Sequence, residues 1–186
     1  MKKTSIFICL LFVALVTSTA YALMNPIGTC GYFLGLQFQD KLTSAEQVYL
    51  GIMGKRVFPL KDIKGSVFVI EVFSTFCTSC PRNIPVINAV YSAVENEPAL
   101  KDRVRVFSLA IGNTRQEVDA YRKDFKILYP ILTDYTFAAH KALGNPRVPY
   151  TLIVRKTERG RCVVEYSHQG IHPSAEEILK QLKGST

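Results

Sequence analysis

A chain of 186 residues holds one domain with a sizeable core and is too short for two comfortable ones. Its 48% hydrophobic and 20% charged residues exclude disorder as the default state, and eleven glycines and nine prolines without a fixed period exclude collagen-like or low-complexity architecture. The net charge of +8 raises nucleic acid as a partner, but the first segment of the chain argues against it.

Lys2 and Lys3 precede an unbroken apolar run, Ile6 to Val16, and Thr17, Ser18 and Thr19 form a polar exit. Ala20-Tyr21-Ala22 then gives the small-x-small pattern accepted by a signal peptidase, which predicts cleavage after Ala22. The run is too short to span a bilayer, which takes roughly 20 residues. The expected organisation is therefore a signal peptide at 1–22, an N-terminal extension at 23–56 and a single domain at 57–186. Such a chain is exported, into the periplasm by expectation, and no nucleic-acid partner is expected. The basic excess then reads as a solvated surface. Cleavage would remove Cys9 and leave Cys30, Cys77, Cys80 and Cys162, an even set in an oxidising compartment.

In the extension, Gly28, Gly31, Gly35, Gly51 and Gly54 interrupt any long element, and a hairpin is expected around Val48–Val57. Leu60–Gly65 reads as a turn of helix closed by glycine. Val67–Phe73 is a near-continuous apolar run broken only by Glu71, the pattern of a strand buried on both faces. A helix is predicted from Cys77 to about Asn96, kinked at Pro85. Val104–Ile111 is a second buried strand. Thr114 with Glu117 forms a capping box for a helix to about Phe125. Ile131-Leu132 follow Pro130 as a short extended piece, and Phe137–Leu143 is a short helix ended by Gly144. Tyr150–Val154 and Cys162–His168 are strands joined at Glu158-Arg159-Gly160, and Ser174 with Glu177 opens a last helix to about Lys183. From Val67 onward the order β-α-β-α-β-α-β-β-α predicts a three-layer α/β sandwich with a mixed central sheet.

Cys77-Thr78-Ser79-Cys80 is either half of a zinc site or a redox dithiol. Zinc calls for a second cysteine pair or a usable histidine pair. His168 and His172 are separated by Gly170 and followed by Pro173, so no regular helix presents them together, and no metal site is expected. The redox reading gains from position, between a buried strand and a helix. A cysteine at a helix N-terminus has its thiolate stabilised by free N–H groups and the helix dipole. Cys77 is then the exposed nucleophile and Cys80 the buried resolving thiol.

Glu71 is costly inside an apolar strand unless paired or protonated. Six residues before Cys77, it can lie beneath the dithiol and exchange the proton of Cys80. The alternative puts it on a sheet edge in an ordinary ion pair. Val148-Pro149-Tyr150 opens a strand. With a cis Val148–Pro149 bond, the Val148 backbone would be free to pair with an extended substrate segment.

Val69-Ile70-Glu71-Val72-Phe73-Ser74-Thr75-Phe76-Cys77-Thr78-Ser79-Cys80-Pro81, followed by Arg147-Val148-Pro149-Tyr150-Thr151-Leu152 before a hairpin, resembles the thioredoxin fold. The long interval between Cys80 and Pro149 is similar to the exported TlpA/ResA-like (redoxin) branch, with its extra strand–helix insertion. The resemblance covers about residues 57–186. It implies a thiol–disulfide oxidoreductase with Cys77 as nucleophile, Cys80 as resolving thiol and Pro149 as a cis-proline. Phe76 stands where that family usually has Trp and keeps an aromatic wall for substrate. Asn83 stands where many exported members have Glu, and Glu71 is more like the buried acid of thioredoxin than the Asn common in the exported branch. Thr78-Ser79 matches neither the strong reductants nor the strong oxidants.

Cys30 and Cys162 either form a structural bridge or leave Cys162 a small apolar residue alternating with Val164 and Tyr166. His140 reads as a satisfied histidine. The leading expectation is an extracytoplasmic enzyme that reduces protein disulfides. It needs no cofactor beyond the Cys77–Cys80 disulfide itself, and it draws electrons from a membrane donor. The alternatives are a copper-binding chaperone, disfavoured by the two-residue cysteine spacing, and a thiol peroxidase. The peroxidase reading would use Ser74, three residues before Cys77, but lacks an upstream proline.

Overall fold

The computed structural model describes residues 30–157 and 162–184. The predicted signal segment and the turn at Glu158-Arg159-Gly160 lie outside the described residues. A five-stranded mixed sheet forms the middle layer. Its strands are β3 (Val67–Phe73), β4 (Val104–Ile111), β5 (Ile131–Asp134), β6 (Tyr150–Lys156) and β7 (Cys162–Gln169), in the spatial order β5-β4-β3-β6-β7. β3, β4 and β5 run parallel, while β6 and β7 are antiparallel to their neighbours. β3 is central and buried along all seven residues, as its continuous apolar run requires.

Residues alternate across β3. Val67, Val69 and Phe73 face a core built with α3 (Ile84–Asn96), α5 (Arg115–Phe125) and α7 (Ala175–Gly184). Phe68, Ile70 and Val72 face the other core, which takes in α1 (Cys30–Gly35), α2 (Ser44–Leu50), α6 (Ala138–Ala142) and the ribbon of β1 (Gln37–Gln39) with β2 (Val57–Pro59). The three-layer α/β sandwich expected from the element order is therefore present. A short α4 (Pro98–Lys101) links α3 to β4. No helix among the described residues is long and apolar enough to cross a membrane.

The N-terminal region departs from expectation. Instead of a hairpin at Val48–Val57 it holds α2, and the antiparallel pairing joins Gln37–Gln39 to Val57–Pro59. The determinant is Thr43 with Glu46, a complete capping box in which the Thr43 side chain accepts from the Glu46 N–H and the Glu46 carboxylate accepts from the Thr43 N–H. Gly51 closes the helix with a left-handed φ of 70°. Two ion pairs then fasten this region to α5: Asp40 to Arg115 at 2.6 Å and Glu46 to Arg122 at 2.6 Å. Asp40 also accepts from the Thr133 N–H at 2.7 Å, so its buried carboxylate is fully engaged.

Cys30 and Cys162 are joined in a disulfide that ties α1 to the start of β7, and both residues are buried. This is the structural bridge; Cys162 is not merely a small apolar residue. Pro85 does not kink a helix interior. It occupies the first turn of α3, where its missing N–H costs nothing.

Candidate active site

β3 ends at Phe73, and the loop that follows is gripped by one side chain. Asn113, fully buried just beyond β4, accepts from the Thr75 N–H at 2.9 Å and donates to the Thr75 hydroxyl at 2.6 Å. The Cys77 N–H donates to the Ser74 carbonyl at 3.0 Å. The predicted helix start is displaced. Cys77 precedes any helix, Cys80 opens a short 3-10 turn (Cys80–Asn83), and α3 follows. Cys77 and Cys80 are bonded to each other, with their Cα atoms 5.5 Å apart. Cys80 is buried and Cys77 half-buried, and the Cys80 N–H donates to the Cys77 sulfur at 3.1 Å.

Glu71 lies on the central strand, paired with Ser108 of β4 on one side and Thr151 of β6 on the other. That placement excludes a sheet edge, and among the described residues no ion pair satisfies its carboxylate. Three donors do: the Asn83 side-chain amide at 2.9 Å, the Tyr129 hydroxyl at 3.0 Å and the Ser108 hydroxyl at 3.4 Å. Burial pushes the carboxyl up, the three hydrogen bonds pull it down, and the balance stands at about 7. Glu71 and Cys80 line the same small cavity behind the disulfide. An acid near neutrality beside a thiol can take its proton and return it.

Asn83 extends this network. Its carbonyl accepts from the His172 N–H at 2.8 Å, and its amide also reaches the Thr151 hydroxyl at 3.4 Å. In the sequence Asn83 signalled only a missing acid, and Tyr129, Ser108 and Asn113 gave no signal. Asn83 sits one turn beyond Cys80, on the side that meets β3, and that spacing alone was the clue. His168 and His172, judged unable to meet on a helix, do meet across the turn at Gly170, with ring centroids 4.8 Å apart. His168 Nε2 is engaged by the Ile171 carbonyl, and both ring nitrogens of His172 by the Ser174 carbonyl and the Tyr166 hydroxyl. His140 is satisfied by the Pro146 carbonyl at 2.9 Å.

The Val148–Pro149 bond is cis. The Val148 carbonyl oxygen lies 3.8 Å from the Cys77 sulfur, and the Pro149 carbonyl accepts from the Gly170 N–H at 2.8 Å. Phe76 is 72% exposed beside the dithiol, a large apolar side chain left in solvent. The structure thus gathers Glu71, Cys77, Cys80, Val148 and Pro149 at one end of the sheet, with Phe76 on its rim.

The AhpC/TSA family model matches residues 45–164, well over half of the chain. The chain belongs to the AhpC/TSA family. Among curated members similar to it, a protein of Bacillus thuringiensis named thiol-disulfide oxidoreductase ResA is 24% identical over 166 residues, covering 83% of this chain and 89% of that protein. Among solved structures, StoA from Bacillus subtilis aligns with a TM-score of 0.53 at 20% identity, over 64% of this chain and 84% of that one. A secreted Mycobacterium tuberculosis disulfide oxidoreductase, described as homologous to E. coli DsbE, aligns with a TM-score of 0.58 at 13% identity, over 82% and 98%. These likenesses bear out the thioredoxin-like fold and the redoxin resemblance.

Proposed function

We propose that this family member is an extracytoplasmic thiol–disulfide oxidoreductase that delivers electrons to protein disulfides through Cys77 and Cys80. The enzyme class follows from the family and from curated relatives that carry that name. One observation carries the direction: Glu71, buried and balanced near neutrality, shares a cavity with Cys80. A negative charge there disfavours a second one on the adjacent sulfur. It therefore destabilises the thiolate-bearing reduced form, which makes the pair a better electron donor.

In the cycle, the Cys77 thiolate attacks a substrate disulfide, and one substrate sulfur departs with the bonding pair and takes up a proton. Glu71 then accepts the Cys80 proton. The Cys80 sulfur bonds to Cys77, and the second substrate sulfur leaves as a thiolate that is protonated in turn. Glu71 then gives up the Cys80 proton, which with one from solvent supplies the two protons of the substrate dithiol; two electrons have passed to the substrate, and the Cys77–Cys80 disulfide is restored. The dithiol is itself the redox group, so no separate cofactor is called for. Phe76 offers an apolar wall, and the backbone of Val148 and Pro149 an edge for an extended substrate segment.

Export is supported by the leader pattern at residues 1–22 and by the buried Cys30–Cys162 bridge, a bond that persists in oxidising compartments. A reductant working there needs electrons carried across the membrane, so a membrane donor of dithiol chemistry is its upstream partner. The test is the reduction potential of the Cys77–Cys80 pair, read by equilibration with dithiothreitol or glutathione. A value near about −270 mV fits a reductant, whereas one near about −120 mV would reverse the direction. Absence of any reversible two-electron couple would remove the oxidoreductase reading altogether.

A further inference from the structure

Tyr121 is the unexplained side chain behind the disulfide. It lies on the inward face of α5, with its ring 5.2 Å from that of Phe73 and 4.5 Å from that of Phe125. The residue is only 7% exposed. Its hydroxyl oxygen is buried without a hydrogen-bond partner, alone in this among the side chains of the described residues. Native interiors rarely keep such a group, because a desolvated donor left unpaired is costly.

Its surroundings narrow the choice of partner. Tyr121 lines a tight interior crevice whose other polar groups are Glu71, Cys80 and Tyr129, with apolar side chains supplying the rest. The free space is too finely divided to seat a water-sized sphere. Glu71 holds its three donors and the Tyr129 hydroxyl donates to it, and neither lies in hydrogen-bonding position to the Tyr121 hydroxyl. Cys80 has its sulfur in the disulfide, where it is a poor acceptor. Opening that bond changes only one of the groups lining this space, and frees the Cys80 sulfur, which becomes a strong acceptor once its proton has gone to Glu71.

We propose that Tyr121 is a positioning residue for the resolving thiol, its hydroxyl donating to the Cys80 sulfur whenever the Cys77–Cys80 bond is open. This rests on the oxidoreductase reading above. In the mixed disulfide, Glu71 takes the Cys80 proton, and the Tyr121 O–H holds the resulting thiolate in place. The Cys80 lone pair then forms the bond to Cys77 as the Cys77–substrate bond breaks, with its electron pair leaving on the substrate sulfur. Tyr121 keeps its own proton throughout, since burial pushes its hydroxyl up to about 12. The contact exists only in the open form, so it favours that form over the disulfide.

The experiment compares Tyr121→Phe with the unaltered protein by equilibration in glutathione buffers. The phenyl ring keeps the stacking on Phe73 and Phe125. The expected result is an equilibrium constant shifted about tenfold toward the disulfide, a potential more negative by about 30 mV. Unfolding midpoints of both redox forms supply a second readout. Loss of the contact lowers the reduced form relative to the oxidised one, whereas a packing defect lowers both alike. A shift of threefold or more toward the disulfide supports the proposal, and a smaller or opposite shift overturns it. If the unaltered protein shows no reversible couple, the oxidoreductase reading itself fails; a normal couple that Tyr121→Phe leaves in place sinks only the role of Tyr121.

Discussion

The two disulfides of this protein are alike in reach, with Cα separations of 5.6 Å for Cys30–Cys162 and 5.5 Å for Cys77–Cys80, and unlike in everything around them. The first joins a helix to a strand across 132 residues of sequence, and both of its sulfurs lie in the apolar core. The second spans three residues, leaves Cys77 half in solvent, and has an acid behind it. The chemistry of a disulfide is thus set by access and by neighbouring protons rather than by the bond. One pair holds the chain together; the other is placed to exchange.

The comparison breaks most decisively at Cys77, the proposed nucleophile. Cys77→Ala is expected to abolish turnover in an insulin-reduction assay while leaving the urea midpoint nearly unchanged. Glu71→Gln comes next. It is expected to slow closure of the mixed disulfide by about 10²-fold near pH 7, as removal of a general base does. It should also flatten the rise in rate through about pH 7. Its effect on stability has the opposite sign. The native acid binds its proton more tightly than an unfolded one does, so its ionisation costs stability as pH rises from about 4.5 to about 7. Glu71→Gln is therefore expected to be more stable than the parent above pH 7, by about 1–3 kcal/mol, and no more stable at pH 4.

Replacing Cys30 and Cys162 together by Ala inverts the pattern. The expected loss is about 2–5 kcal/mol in chemical denaturation, with activity per folded molecule retained. Asn83→Ala removes a donor from Glu71 and leaves the buried His172 N–H unpaired. A loss of about 1–3 kcal/mol and an upward move of the pH midpoint of turnover are expected. Phe76→Ala, at the rim, is expected to raise KM for a protein substrate several-fold and to leave stability within about 0.5 kcal/mol.

The sequence carried the central strand, the Cys77–Cys80 pair and Glu71 in plain view, because each breaks or completes a local pattern. A short apolar run rich in β-branched and aromatic residues reads as a buried strand, and a carboxylate inside it needs a reason. Thr114-x-x-Glu117 was equally legible. Thr43-x-x-Glu46, the same device, is masked by surrounding glycines that suggest loops, yet Gly51 ends the helix rather than preventing it. Tyr129, Ser108 and His172 were invisible for a different reason. They reach Glu71 or Asn83 from 58, 37 and 89 residues away, and only the sheet order brings them there.

The two bridges are also nested: Cys77 and Cys80 fall inside the loop that Cys30 and Cys162 close. The four cysteines of the described residues allow three connectivities, and only the nested one leaves a close pair at the end of β3. A chain made from its N-terminus presents Cys30 and both active-site thiols long before Cys162 arrives. During that interval Cys77 and Cys80 are both available to trap Cys30 in a wrong bond, so the order of the cysteines along the chain is a hazard to assembly. Biogenesis therefore favours early folding of the β3–α3 unit, which buries Cys80, or an isomerase that undoes the wrong bond before the last strand is added.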